Sequence, residues 1–265
     1  MPPNPPNPPV VWIASYPKSG NTWLRFMLYA AIFGPPESSA DVPAKIPDLH
    51  RGMDPDFKPD ERTYIKTHFE LTDAHPMLDQ SLKAIHIIRN PRDILLSTLN
   101  YRKLTGEGSW AMTKKSYAKS FIKLGGDPDF AKIGFGTWAT HARSWRTNTR
   151  FPVLPLRYEA LKADPSGQLR TILGFLEIEA TDERIEQAVA ASSFDTMREI
   201  EIKEKTSEQS DARAKQFFVG SNTATRKGVY FMNKGASNQS LDTIAPGLDE
   251  QFDSGLRPEL EEFGY

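Results

Sequence analysis

The sequence predicts an α/β fold in which a central, mainly parallel sheet is flanked by helices. Apolar runs rich in β-branched residues alternate with segments of helical periodicity. The first apolar run passes through one tight turn directly into a helix. A chain of 265 residues with 38% hydrophobic residues can bury one large core, so we expect a single domain over residues 10–265.

The predicted elements follow one another along the whole chain. Strands are expected at 10–13, 62–68, 83–89 and 151–158, where Pro155 suits an edge strand. Helices are expected at 21–32, 90–102, 136–148, 164–176, 182–191 and 194–200. Residues 35–60 are predicted to form a long loop. The charged stretch 201–216 is interpreted as a solvated, mobile surface segment that could act as a lid.

Composition and charge narrow the class of protein. The 33 basic and 34 acidic residues leave a net charge of −1, which gives no indication of nucleic-acid binding. The absence of cysteine excludes disulfides, thiolate metal sites and cysteine nucleophiles, and it favours a cytoplasmic location.

Residues 1–9, MPPNPPNPP, are interpreted as a disordered, proline-rich lead. They have neither the basic start nor the apolar stretch of a secretion signal. No apolar run approaches the roughly 20 residues that a membrane span needs, so we expect no stable membrane insertion.

The most informative stretch is the turn between the first strand and the first helix. It offers backbone N–H groups and one cation at a helix N-terminus, a combination that binds phosphate, through Lys18, Ser19, Gly20, Asn21, Thr22 and Trp23. The loop of nucleoside-triphosphatases has its lysine directly after the second glycine, whereas Lys18 precedes Gly20. A magnesium-dependent P-loop kinase, or another phosphoryl transferase that uses a nucleoside triphosphate, therefore remains only as the alternative function.

A second candidate anion site follows the third predicted strand. Arg89 ends that strand, and Ser97 lies eight positions later in the next helix. An arginine fork and a hydroxyl at this spacing can converge on one phosphate. Taken alone, the pair could equally be a helix-start arginine and a surface serine.

Lys66-Thr67-His68 ends the second predicted strand. A neutral imidazole can accept a proton from a hydroxyl at near-neutral pH, so we predict His68 as a general base. Lys66 adds a second cation to the same site. Single histidines are more often structural, and no His, Asp or Glu spacing indicates a metal site.

These motifs together closely resemble the cytosolic-type sulfotransferases, and the chain is identified as a bacterial-like member of that family. The family transfers a sulfuryl group from 3′-phosphoadenosine 5′-phosphosulfate (PAPS) to an acceptor and releases the desulfated product PAP. The resemblance implies that Tyr16–Trp23 bind the 5′-phosphosulfate and that Arg89 and Ser97 hold the 3′-phosphate. It also implies a 3′-phosphate contact from Arg226, Lys227 and Gly228, and an adenine site formed by Trp23, Tyr158, Ser192 and Phe194.

The resemblance further implies an in-line displacement without a metal, in which His68 is the base and Lys18 and Lys66 stabilise charge. The expected acceptor is a hydroxyl of a small organic molecule such as a phenol, an alcohol or a glycolipid head. A homodimer is compatible with the family, but no clear sequence feature supports it. A nucleotide-binding module without catalysis and an interaction protein that docks through the proline-rich lead stay open as other classes.

Overall fold

The computed structural model describes residues 9–52, 61–106, 112–206, 217–233 and 235–265. Four strands form one sheet in the order β2-β1-β3-β4, and all neighbouring pairs are parallel. The strands are β1 Val10–Ser15, β2 Thr63–Thr67, β3 Ser81–Ile88 and β4 Val153–Arg157. The predicted α/β fold with a parallel sheet is therefore confirmed.

Helices cover both faces of the sheet. The first seven are α1 Asn21–Phe33, α2 Asp41–Lys45, α3 Pro91–Thr105, α4 Lys114–Leu124, α5 Pro128–Lys132, α6 Trp138–Arg146 and α7 Tyr158–Ala163. The others are α8 Pro165–Phe175, α9 Asp182–Ala191, α10 Phe194–Thr206, α11 Asn222–Arg226, α12 Leu248–Gly255 and α13 Arg257–Phe263. Short 3-10 turns lie at Leu49–Arg51, Leu78–Gln80 and Leu241–Thr243.

The central strand β1 is buried over its whole length. Its side chains alternate between the faces, so Val11 and Ile13 join one apolar core while Trp12 and Ala14 join another. The first core includes residues of α1, α8 and α9, and the second includes Trp145 of α6. This burial explains why β1 is a nearly continuous hydrophobic run.

Two expectations about irregular regions were wrong. The predicted loop 35–60 contains α2 and the turn Leu49–Arg51, and Pro43 falls in the first turn of α2, where proline is tolerated. The segment after residue 200 is not simply a solvated surface, because α10 continues to Thr206 with Glu201, Glu204 and Lys205 buried. Residues 207–216 and the proposed lead 1–8 lie outside the described residues.

The buried charges of α10 each have a partner. The Glu201 carboxylate accepts the backbone N–H groups of Phe231 (2.7 Å) and Met232 (2.8 Å), and it pairs with Lys205 (3.3 Å). Glu204 accepts the N–H of Ser39 (2.7 Å). Charged residues are rarely fully buried unless they are paired, and here the backbone partners of both carboxylates come from distant parts of the chain.

No helix among the described residues is both long enough and apolar enough to cross a membrane.

Candidate active site

The carboxyl ends of the four parallel strands meet at one edge of the sheet. After β1 the chain connects to β2 on one side of the sheet, and after β3 it connects to β4 on the other side. The gap between β1 and β3 is therefore a topological switch point, where α/β proteins bind ligands. A cavity of about 1060 Å³ opens there. Its lining includes Lys18 after β1, His68 after β2, Arg89 after β3 and Tyr158 after β4.

The loop after β1 has a strained, closely packed backbone. Lys18 adopts a left-handed conformation (φ 70°), which is uncommon for a residue other than glycine, and Gly20 follows at φ 100°. A Cβ on Gly20 would lie 2.6 Å from Cδ2 of the Tyr158 ring. The glycine is therefore required both by the turn and by the tyrosine that packs on it.

Asn21, the first residue of α1, ties the loop to β1. Its Nδ2 donates to the carbonyl oxygen of Ile13 (3.0 Å) and to Oγ of Ser15 (3.1 Å). The helix N-terminus is thus held against the end of β1, with its free backbone N–H groups beside the cavity.

Lys18 has an ammonium group without a bonded carboxylate among the described residues. Its Nζ lies over the rings of Tyr101 and Phe231, 4.6 and 4.4 Å from their centroids. Burial, together with the nearby charges of Arg89 and Lys66, lowers the pKa of Lys18 to about 7. An anion at this position would restore the charged form.

Arg89 connects the loop after β1 to the C-terminal part of the chain. Its Nη1 donates to the carbonyl oxygen of Lys18 (3.0 Å) and its Nη2 to that of Ala236 (2.7 Å). The guanidinium lies over the Tyr158 ring, 4.2 Å from the centroid. Lys18 and Arg89, which the sequence placed at opposite ends of one ligand, line the same cavity.

His68 is held in one tautomer. Its Nδ1 lies 2.6 Å from the carbonyl oxygen of Ser15, which can only accept a hydrogen bond. Nδ1 therefore carries the proton, and Nε2 keeps a free lone pair. Burial, reinforced by Lys66 and His50, holds the pKa of His68 well below its usual range, so the ring is neutral at pH 7. These are the properties of a general base.

Lys66 is paired, in contrast to Lys18. Its Nζ lies 2.8 Å from Oδ2 of Asp48, and both side chains are buried. Burial lowers the pKa of Lys66 to about 8 although Asp48 acts in the opposite direction.

Most residues that the sequence singled out line this cavity: Lys18, Gly20, Asn21, Thr22, Trp23, Lys66, His68, Arg89, Ser97, Tyr158 and Phe194. Ser19 and Ser192 do not. Ser192 is buried and donates to the carbonyl oxygen of Ala188 (2.8 Å), and its neighbour Ser193 lines the cavity instead. A serine at a helix end often donates its hydroxyl to the carbonyl oxygen four residues earlier, and Ser192 does this instead of facing the cavity.

The basic tripeptide is the other exception. Arg226, Lys227 and Gly228 are exposed at the end of α11, outside the cavity lining. Their contact with a 3′-phosphate stays a prediction, and it would require this segment to lie closer to the cavity than it does here.

The structure also adds residues to the site that sequence motifs did not select. Asp48, His50 and Arg25 line the cavity next to His68 and Lys66, and Tyr101 and Phe231 line it next to Lys18. One signal was available for Arg25, because this arginine interrupts the buried face of α1. Asp48 and His50 lie in a stretch without regular periodicity.

Several buried polar atoms at this edge have no hydrogen-bond partner in the described part of the chain. They include Oγ of Ser19, Oδ1 of Asn21, and Nε of Arg25 and Arg89. Buried polar atoms are normally satisfied, and the unpaired Nε–H groups of Arg25 and Arg89, which line the cavity, suit an anionic ligand rich in acceptor oxygens. Within the described ranges, no three His, Asp or Glu side chains are grouped as metal ligands.

Comparison with known proteins decides the family. The family profile described as "Sulfotransferase domain" matches residues 8–264, nearly the whole chain. The chain belongs to the sulfotransferase family. The expectation that it is an enzyme of this family is thereby confirmed.

Curated proteins similar to this chain are also sulfotransferases. This sulfotransferase is 28% identical to mouse "Sulfotransferase 1A1" in an alignment 263 positions long, which covers 93% of this chain and 83% of the relative. It is 22% identical to the rabbit "Amine sulfotransferase" in an alignment 260 positions long, which covers 96% of this chain and 81% of the relative.

Solved structures show the same fold. Retinol dehydratase in complex with androsterone and PAP matches this sulfotransferase with a TM-score of 0.70 at 19% identity, covering 98% of this chain and 82% of the other. Mouse sulfotransferase SULT7A1, complexed with PAP, matches with a TM-score of 0.62 at 21% identity, covering 95% and 84%.

Proposed function

We propose that this sulfotransferase transfers a sulfuryl group from PAPS to a hydroxyl group of a small organic acceptor, with His68 as the general base. The observation that carries the proposal is the convergence of Lys18, Arg89 and His68 on one cavity of about 1060 Å³. Membership of the family supports PAPS as the donor, and PAP is bound in both structural neighbours described above.

The donor is assigned to the side of the cavity between β1 and β3. The loop Lys18–Gly20, the N-terminus of α1 and the hydroxyl of Thr22 would hold the 5′-phosphosulfate. Arg89 and Ser97 would hold the 3′-phosphate. The adenine would lie among Trp23, Tyr158 and Phe194, where Trp23 and Tyr158 already pack edge to face with centroids 5.8 Å apart.

The reaction is an in-line displacement at sulfur. PAPS supplies an activated sulfuryl group whose bond to the 5′-phosphate breaks as the acceptor oxygen bonds to sulfur. His68 takes the acceptor proton on Nε2, while the Nδ1 bond to Ser15 keeps the ring oriented. Lys18 and Lys66 stabilise negative charge on the transferring group and on the departing phosphate.

The acceptor is assigned to the side of the cavity beside His68. His50, Phe130, Ile133 and Phe135 line this side. Phe135 packs against both His50 (4.7 Å between centroids) and His68 (5.6 Å). Such a wall suits a flat, apolar molecule that carries one hydroxyl, so a phenol or a ring-containing alcohol is the favoured class. A cytoplasmic location, based on the absence of cysteine, is part of the proposal.

The test separates donor from acceptor. Calorimetry with PAP and PAPS is expected to show binding at one site per chain. Mass spectrometry on a panel of phenols, alcohols and amines is expected to show products heavier by one sulfuryl group, and product formation should persist in excess EDTA. PAP binding without any product would favour a nucleotide-binding module. Transfer of phosphate from ATP, abolished by EDTA, would favour the kinase alternative.

A further inference from the structure

The short segment 46–51 runs beside the edge strand β2, next to Lys66 in that strand and His68 directly after it. The N–H of Lys66 donates to the carbonyl oxygen of Pro47 (2.9 Å), and Asp48 forms an isolated parallel bridge with Lys66. On its other side, the Arg25 guanidinium of α1 donates to the carbonyl oxygen of Ile46. The segment is therefore anchored between β2 and α1.

Asp48 holds the ammonium group of Lys66. Asp48 is 3% exposed, and its Oδ2 lies 2.8 Å from Nζ of Lys66. Its Oδ1 accepts the N–H of His50 (3.0 Å), which orients the carboxylate and the turn together. A buried carboxylate in this position fixes where the ammonium lies and favours its charged form.

His50 holds the backbone of His68. Its Nε2 accepts the N–H of His68 at 2.7 Å, and the two rings stack with centroids 5.5 Å apart and planes 13° apart. Only an unprotonated Nε2 can accept this bond. Burial, reinforced by Lys66, lowers the pKa of His50 to about 4, so the bond persists throughout the neutral range.

We propose that Asp48 and His50 are positioning residues for sulfuryl transfer, Asp48 acting through Lys66 and His50 acting through His68. This inference rests on the proposed function. The backbone N–H of His68 is held by its hydrogen bond to His50, and Nδ1 of His68 is held by its hydrogen bond to Ser15. With both groups fixed, Nε2 of His68 can point in only one direction. One segment of six residues thus sets the geometry of the base and of a cation at the acceptor side.

The charge on Lys66 gives the proposal a pH-dependent signature. The groups that face Lys66 are Asp48, Arg25, Arg51, His50, His68 and Lys18. Asp48 is the acidic group among them, and it raises the pKa of Lys66 against the effect of burial. Its removal lowers that pKa, so the protonated form is lost at a lower pH.

The experiment compares four variants with the unsubstituted enzyme. Asp48→Asn keeps the shape of the side chain but removes its charge. His50→Leu removes the acceptor for the N–H of His68. In His50→Gln, the amide oxygen of the new side chain can accept this hydrogen bond in place of Nε2. Asp41→Asn is the matched control, because the Asp41 carboxylate likewise accepts backbone N–H groups, those of Glu37 (2.9 Å) and Ser38 (2.8 Å), but lies outside the cavity lining.

Turnover is measured with PAPS and the panel acceptor that the unsubstituted enzyme sulfates fastest, and PAP affinity is measured by calorimetry. We expect His50→Leu and Asp48→Asn to lower kcat about tenfold or more, with the PAP Kd unchanged within about twofold. His50→Gln should recover most of the lost kcat, and Asp41→Asn should leave kcat unchanged. The alkaline limb of the kcat profile should move to lower pH in Asp48→Asn only.

Three results would overturn the inference. These are unchanged kcat in Asp48→Asn and His50→Leu, an equal loss in His50→Gln and His50→Leu, or an alkaline limb that does not move in Asp48→Asn. If His50→Leu does not fold, the inference is tested by the alkaline limb of the kcat profile of Asp48→Asn and by the kcat of His50→Gln. The unsubstituted enzyme tests the proposed function separately, because it must transfer sulfuryl before any variant is interpreted.

Discussion

The two ends of the cavity hold their lysines in opposite ways. At the donor end, Lys18 has aromatic rings and other cations around it, and its pKa falls to about 7. At the acceptor end, Lys66 is bonded to Asp48 at 2.8 Å and its pKa falls only to about 8. An ammonium surrounded by cations gains most from an incoming anion, whereas an ammonium that already has a carboxylate is chiefly fixed in place. We therefore expect the proposed donor end to bind charge and the proposed acceptor end to orient groups.

The largest effect is expected at the acceptor end. His68→Ala should lower kcat by about 10²–10⁴-fold because it removes the proposed base, while PAP binds as before. The pKa of His68 lies well below 6.5, so its ring stays neutral as the pH falls through 6.5. The unsubstituted enzyme should therefore keep its activity until the pH falls below the lowered pKa of His68. Steady-state kinetics over a pH range and calorimetry with PAP measure both quantities.

His75→Asn is the control for this variant. His75 is also buried, and its Nδ1 also lies near a backbone carbonyl oxygen, that of Pro76 (3.0 Å), but it does not line the cavity. Its kcat should stay within about twofold, since no step depends on it. Near-normal turnover in His68→Ala would remove His68 from the role of base.

A smaller effect is expected from Gly20→Ala at the donor end. The new Cβ would clash with the Tyr158 ring at 2.6 Å, and the residue would have to keep φ 100°. We expect a loss of about 1–3 kcal/mol in the free energy of unfolding and weaker PAP binding. Thermal unfolding and calorimetry are the measurements. Gly34→Ala, at φ 98° with no atom near the added Cβ, separates backbone strain from the clash.

The contrast between the two lysines can be measured as proton uptake. At pH 8, a lysine with a pKa of about 7 is about one-tenth protonated, so PAP binding should take up as much as about 0.9 proton if the anion restores the charge. Calorimetry in buffers with different ionisation enthalpies gives this number. Lys18→Met should abolish most of the uptake and Lys66→Met should leave most of it. The reverse order would contradict the comparison.

The smallest effect is expected at the exposed tripeptide. Because Arg226 and Lys227 lie outside the cavity lining, the double variant Arg226→Ala/Lys227→Ala should change the PAP Kd by less than about threefold. Arg89→Ala, measured in parallel, should weaken PAP binding by at least tenfold, since charged hydrogen bonds are among the stronger ones. A tenfold loss in the double variant would instead show that this segment closes over the ligand.

Sequence reasoning selected residues that share one cavity where they belong to short, contiguous motifs. Lys18, Gly20, Lys66, His68 and Arg89 each belong to a short motif at the end of a strand, and parallel strands bring their carboxyl ends to one edge. Sequence reasoning failed where the hydrogen-bond partner of a buried charge lies far away along the chain. The buried end of α10 looks like a solvated charged stretch until Phe231, Met232 and Ser39 are seen to satisfy Glu201 and Glu204.

The amino-acid order alone determined the alternation of strands and helices, and it indicated the loop proposed to face the donor and the proposed base, because these depend on local periodicity and contiguous motifs. Tertiary structure alone decided that Asp48 meets Lys66, that His50 supports His68, and that Ser193 rather than Ser192 lines the cavity. These contacts depend on the packing of segments whose spacing along the chain carries no periodic signal. Hydrogen bonds between such segments become specific only when folding brings the groups within about 3 Å of each other.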